Sequence, residues 1–158
     1  MIVCLETALA LAIHDRQLAE HGGRAGVRDE GLLESALARP QQLHAHGYPA
    51  PDLTDLTAAL AHGLARNHPF VDGNKRSAAV ACETFLELNG TTLDAEDLEL
   101  YPLYLALAEG KLGATDFAAW LRGRMSRRGR GEVHEPRPAY NAKARGARSR
   151  RRPLRAAR

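Results

Sequence analysis

Apolar positions recur with a helical period along most of this chain. Residues 1–22 read as a helix stopped by Gly22 and Gly23, and "HGGRAGVRDEG" follows as a loop. Asp29 can cap a second helix, "EGLLESALARP", which Pro40 closes. The next stretch, "QQLHAHGYPAPD", has a glycine, two prolines and no helical period, so it reads as a loop or a short hairpin over the surface. Thr54 can cap a third helix from Asp55 to about Asn67, with Leu56, Leu60 and Leu64 on one face and Ala59 beside them. Pro69 bars that helix from continuing, because proline restricts the residue before it and offers no N–H.

A tight turn through Val71–Gly73 then leads into a fourth helix from Asn74 to Asn89, with Gly90 as its stop. Ala78, Ala81, Cys82 and Phe85 form its apolar stripe, and Val80 and Leu86 widen it, which suits a helix at the centre of a bundle. A segment from Asp94 to about Gly110 follows, which Pro102 kinks or divides, and a last helix spans Thr115–Arg124 with Phe117, Trp120 and Leu121 inward. No internal repeat is visible. The pattern predicts one all-α domain over residues 1–125, a compact helical bundle around a central helix.

Beyond about Ser126 the period vanishes into Arg, Ala, Gly and Pro, a composition that buries too little surface to offset the entropy of ordering, and residues 126–158 are expected to be a disordered tail. Charge divides at nearly the same place. Through Leu121 there are 8 basic and 17 acidic residues; from Arg122 onward there are 14 and 2. An acidic body therefore carries an Arg-rich tail that could hold nucleic acid without sequence preference, while no recognition-helix pattern points to duplex reading. Cys4 and Cys82 read as free thiols of a reducing compartment. The N-terminus has no basic residue before its apolar run and Glu6 interrupts it, so a soluble cytoplasmic protein without membrane contact is expected.

The chemistry concentrates in "HPFVDGNKR", residues 68–76. A helix starting near Asn74 exposes unpaired N–H groups and a partial positive charge, Gly73 allows close backbone approach, and Lys75 and Arg76 add two cations, which together make an anion site. Asp72 belongs there if a divalent cation accompanies phosphates, since Mg²⁺ prefers carboxylate and phosphate oxygens. His68 at the end of the preceding helix could take a proton from a hydroxyl. The plain alternative is an ordinary polar first turn capped by Asp72, with His68 a satisfied helix-end residue. His44, His46 and His62 show no zinc spacing, and His14 with Asp15 reads as a surface pair.

"HPFVDGNKR" resembles the Fic/Doc signature His-Pro-Phe-x-Asp/Glu-Gly-Asn-Gly/Lys-Arg, and "GVRDEGLLESALARPQ" is similar to the death-on-curing (Doc) branch. Lys75 in place of Gly, and Ala79 where longer Fic signatures carry a second Arg, also resemble that branch. The resemblance implies a Fic-fold toxin of a toxin–antitoxin pair that moves the γ-phosphoryl group of ATP, with Mg²⁺, to a Ser/Thr hydroxyl of a translation factor, elongation factor Tu first among them. It implies His68 as general base, Asp72 as metal ligand, Gly73 and Asn74 as contacts to the nucleotide, Lys75 and Arg76 as charge neutralisers, and Phe70 as a structural anchor. "QQLHAHGYPAPD" falls where the family has its target-docking flap. Glu30-Gly31 matches the end of the family's self-inhibitory motif, but Gly26 stands where Ser or Thr should be, so restraint would come from a separate Phd-like antitoxin. The alternatives are adenylyl transfer to a protein and a catalytically idle binding module.

Overall fold

The computed structural model describes residues 1–127. Six helices, α1 (Thr7–His21), α2 (Glu30–His46), α3 (Leu53–Asn67), α4 (Asn74–Leu88), α5 (Asp97–Glu109) and α6 (Ala114–Arg122), enclose a single core. Two short strands, β1 (Thr91–Leu93) and β2 (Met125–Arg127), pair antiparallel with Thr92 opposite Ser126. The all-α expectation holds, with this small strand pair added. The pair had no sequence signal, because three residues are too few to show an alternation.

The centre of the bundle belongs to α3 and not to α4. α3 packs against α2, α4, α5 and α6, and nine of its 15 residues are buried. Small side chains permit this crowding: Ala58, Ala61 and Ala65 are fully buried, and a Cβ at Gly63 would stand 3.1 Å from both Cα and Cβ of Ala36 on α2. α4 lies beside it and buries the expected Ala78, Ala81, Cys82, Phe85 and Leu86. Burial pushes the Cys82 thiol up to about 12, which leaves it protonated and inert.

Several boundaries differ from the sequence reading. Residues 1–6 are not helical; the Val3 N–H donates to Asn89 Oδ1 and the Asn89 amide donates back to the Val3 carbonyl, both at 2.9 Å. α2 runs through Pro40 to His46, so the loop before α3 is confined to residues 47–52 and no hairpin forms there. A proline inside a helix costs about 3 kcal/mol; here Pro40 is buried, and packing of α2 on α3 outweighs the lost bond. Pro102 likewise lies inside an unbroken α5. The cap of α3 is Asp52, whose carboxylate accepts from the Asp55 N–H and the Thr54 hydroxyl, while Asp55 returns the capping-box bond. β2 carries the folded body to Arg127, two residues past the expected boundary. The rest of the expected tail lies outside the described residues.

Burial opposes ionisation of Asp52, but hydrogen bonds from Arg122, Thr54 and the Asp55 backbone outweigh it and hold its carboxyl well below the usual range. A depressed folded pKa gives stability that is present above the unfolded value of about 4 and lost as pH falls through the folded one. Urea unfolding from pH 7 to pH 2 should therefore show a steeper acid loss in the natural chain than in Asp52→Asn.

Candidate active site

The site is a short bend between two helices. Pro69 stops α3 at Asn67, and His68 takes a left-handed conformation (φ 48°, ψ 55°) that turns the chain out of the helix. Such a conformation is costly for a non-glycine residue and needs support from its surroundings. Arg28 provides it: Nε donates to the His68 carbonyl at 2.7 Å and an Nη to the Asn67 carbonyl at 2.8 Å. The loop from Gly26 to Asp29 also lies along the bend. The Arg28 and Asp29 N–H groups donate to the Pro69 carbonyl at 2.7 and 3.1 Å, and the Val71 N–H donates to the Gly26 carbonyl at 3.0 Å.

Asn74 closes the bend. Its Oδ1 accepts from the Phe70 N–H at 2.9 Å, and its Nδ2 donates to the Phe70 carbonyl at 3.0 Å. The side chain expected to touch a ligand is thus committed to the loop, and Asn74 can offer a ligand its backbone N–H. Phe70 points into the core, 2% exposed, as expected of an anchor.

α4 begins without a side-chain cap, because its cap residue is Gly73 in the left-handed region (φ 74°). The Ser77 N–H donates to the Gly73 carbonyl, while no acceptor for the N–H groups of Asn74, Lys75 and Arg76 is found among the described residues. An uncapped first turn with an absent Cβ is a ready receptor for an anion. The Lys75 ammonium has no partner among the described residues, and Arg76 is tied to the end of α1 by a 3.2 Å bond to the Gly22 carbonyl.

Asp72 stands at the same mouth. Its Oδ1 accepts from the Gly73 N–H at 2.7 Å and its Oδ2 from the Arg24 N–H at 3.2 Å. Those backbone bonds hold its carboxyl below the usual range, with Arg76 and Arg24 adding attraction and slight burial opposing it. Asp72 is therefore an oriented anion whose remaining lone pairs can serve a cation. Among the described residues no three His, Cys, Asp or Glu side chains form a metal group. One carboxylate suits Mg²⁺ that brings phosphate oxygens with it, as opposed to a self-contained protein cage.

Sequence reasoning missed Arg24 and Arg28, which act through tertiary position alone, and misplaced His14. That residue is buried, 1% exposed, beneath the bend. Burial pushes its ring below the ordinary histidine value; Asp15 opposes the shift, Arg76 adds to it and Asp72 opposes it. His62 faces Arg39 (Nδ1 to Nη, 3.0 Å), and burial with Arg39 and Arg66 nearby lowers its pKa as well.

The family model described as the Fic/DOC family matches residues 4–86. The chain belongs to the Fic/DOC family. It is 32% identical over 112 residues to "Protein kinase doc" of Escherichia phage P1, covering 71% of this chain and 87% of that protein. It is 54% identical over 76 residues to "Toxin Doc" of Mycolicibacterium smegmatis (strain ATCC 700084 / mc(2)155), covering 48% of this chain and 58% of the relative's length. The Fic/DOC match contains α1, the Arg28 loop, α3 and the whole bend, so the residues that support the bend lie inside it together with those that carry its charge.

Gly23 tests the packing of this mouth. An added Cβ would stand 2.8 Å from Asp72 Oδ2, at φ 124°, whereas one at Gly22 (φ 73°) meets nothing within 4 Å. Gly22→Ala should lose about 1–3 kcal/mol of stability from conformation alone, since its positive φ with ψ 179° is a region that glycine occupies almost exclusively. Gly23→Ala should lose more, because its Cβ must also displace the Asp72 carboxylate, and urea unfolding of the two variants measures the difference.

Proposed function

We propose that this protein is a Doc-type toxin that transfers the γ-phosphoryl group of ATP to a Ser or Thr hydroxyl of a translation factor, with elongation factor Tu the first candidate. The observation that carries the reading is the bend itself. A histidine is held at the C-terminal end of one helix, four residues before an anionic Asp72, and directly after it comes an uncapped helix start bearing Lys75 and Arg76. The relative named a protein kinase supports the choice of phosphoryl transfer, and the relative named a toxin supports the biological role. A separate Phd-like antitoxin is the expected restraint.

In this reading the first-turn N–H groups of α4 and the Lys75 and Arg76 side chains bind the phosphates. They also neutralise the charge that builds up on the transferred group, where positioning and electrostatics do most of the catalysis. Asp72 would hold Mg²⁺, which when bound screens the phosphate oxygens from one another. His68, carried by its supported left-handed backbone, accepts the proton of the incoming hydroxyl as the oxygen–phosphorus bond forms. The bond to the bridging oxygen then breaks and ADP leaves.

Purified protein, elongation factor Tu and Mg²⁺ should give a labelled acceptor with γ-labelled ATP and an unlabelled one with α-labelled ATP. Label from the α position would instead establish adenylyl transfer. His68→Ala should lower the transfer rate by a factor of about 10²–10⁴ and relieve growth arrest in bacteria expressing the chain; undiminished arrest would count against group transfer as its cause. A folded chain that moves neither label would leave the idle module standing.

A further inference from the structure

His14 has no part in the chemistry just described, yet it touches both ends of the segment that performs it. Its ring lies flat against Phe70, with centroids 3.8 Å apart and planes 6° from parallel. Its Nδ1 and the Ser77 Oγ share a 3.1 Å hydrogen bond. Phe70 follows His68 by two residues, and Ser77 stands in the first turn of α4 beside Arg76. One ring therefore fixes where the bend leaves α3 and where it enters α4. The ring also underlies the glycine cap: a Cβ at Gly73 would lie 3.8 Å from His14 Cε1.

The contact is more specific than core filling. His14 and Ser77 are 1% and 2% exposed, and both place polar groups where an apolar pair would pack without loss. His14 Nε2 is buried with no hydrogen-bond partner, a cost of about 1–3 kcal/mol. A buried polar pair carrying an unsatisfied atom stabilises less than hydrocarbon of the same shape, but it has one permitted geometry. That cost makes sense where a fixed position matters more than stability.

We infer that His14, acting through Phe70 and Ser77, is a positioning residue that sets the distance between His68 and the phosphate-binding turn of α4. The inference rests on the phosphotransfer reading for its catalytic consequence, but its structural consequence can be measured without any reaction.

Three variants of the full chain test it. His14→Phe keeps an aromatic ring on Phe70 and removes the bond to Ser77; Ser77→Ala removes the same bond with almost no change in volume; the third combines them. With elongation factor Tu as acceptor and γ-labelled ATP, kcat should fall about tenfold in each single variant, as a small displacement of a reacting group does. KM for ATP should stay within twofold, and the double variant should be no worse than the poorer single one. In parallel, amide exchange of Phe70 and Val71, whose N–H groups are bonded to Asn74 and Gly26, should quicken in both single variants while that of Leu64 in the core of α3 stays unchanged. Unchanged Phe70 and Val71 exchange in Ser77→Ala overturns the inference. So does equal quickening at Leu64 with unaltered kcat, which would mark a purely structural pair. If the natural chain transfers no label, the phosphotransfer reading fails and the exchange result alone decides the role of His14.

Discussion

Two hydrogen bonds between the Asn74 side chain and the Phe70 peptide close the bend on which the site depends. The side-chain amide satisfies the N–H and the carbonyl of Phe70 at once, so the chain can leave α3, pass through a left-handed residue and enter α4 without stranding those polar groups. Because Asn74 is itself the first residue of α4, the clasp ties the helix start to the bend, and the N–H groups behind it stay open. A second asparagine does similar work at the other end of the helix, where Asn89 pairs with the peptide groups of Val3. α4 is therefore anchored at both ends by side-chain amides, and its apolar middle fills the core beside α3.

Support for the site comes from three directions. The Gly26–Asp29 loop pairs with the bend along its backbone, and Arg28 neutralises the partial charge at the C-terminal end of α3 by binding two of its last carbonyls. α1 supplies His14 from beneath, while the segment after it supplies the Arg24 N–H that aims Asp72. Positive charge thus gathers at the mouth, from Arg24, Arg28, Lys75 and Arg76, in a body whose charged residues through Leu121 are mostly acidic. None of these four forms a salt bridge among the described residues. Cations without carboxylate partners beside an uncapped helix start suit the proposed binding of phosphates.

Most of the helices were legible in the chain because each had a local cause. Pro69 had to end α3, Gly73 permitted the turn, Asp29 capped α2, and the apolar stripe of α4 fell on helical spacing. What escaped notice depended on contacts between distant segments. Pro40 and Pro102 are helix breakers by propensity, and only packing by neighbouring helices keeps α2 and α5 continuous. Asp52 displaced Thr54 as a cap because its carboxylate accepts from both the Asp55 backbone and the Thr54 hydroxyl. In the site, His68, Asp72, Lys75 and Arg76 were visible as chemistry. The Asn74 side chain looked like a ligand contact because its pairing with Phe70 is settled only when the bend forms. His14 looked like a surface residue because an Asp follows it, and only the fold shows that it lies under Phe70.

The most direct test of this account is a crystal structure of the protein with Mg²⁺ and a non-hydrolysable ATP analogue. Phosphate oxygens should lie within hydrogen-bonding distance of the Asn74, Lys75 and Arg76 N–H groups, with the cation on Asp72 and the His68 ring turned toward the terminal phosphate. Phosphates bound elsewhere, or a His68 ring packed into the core away from them, would contradict it.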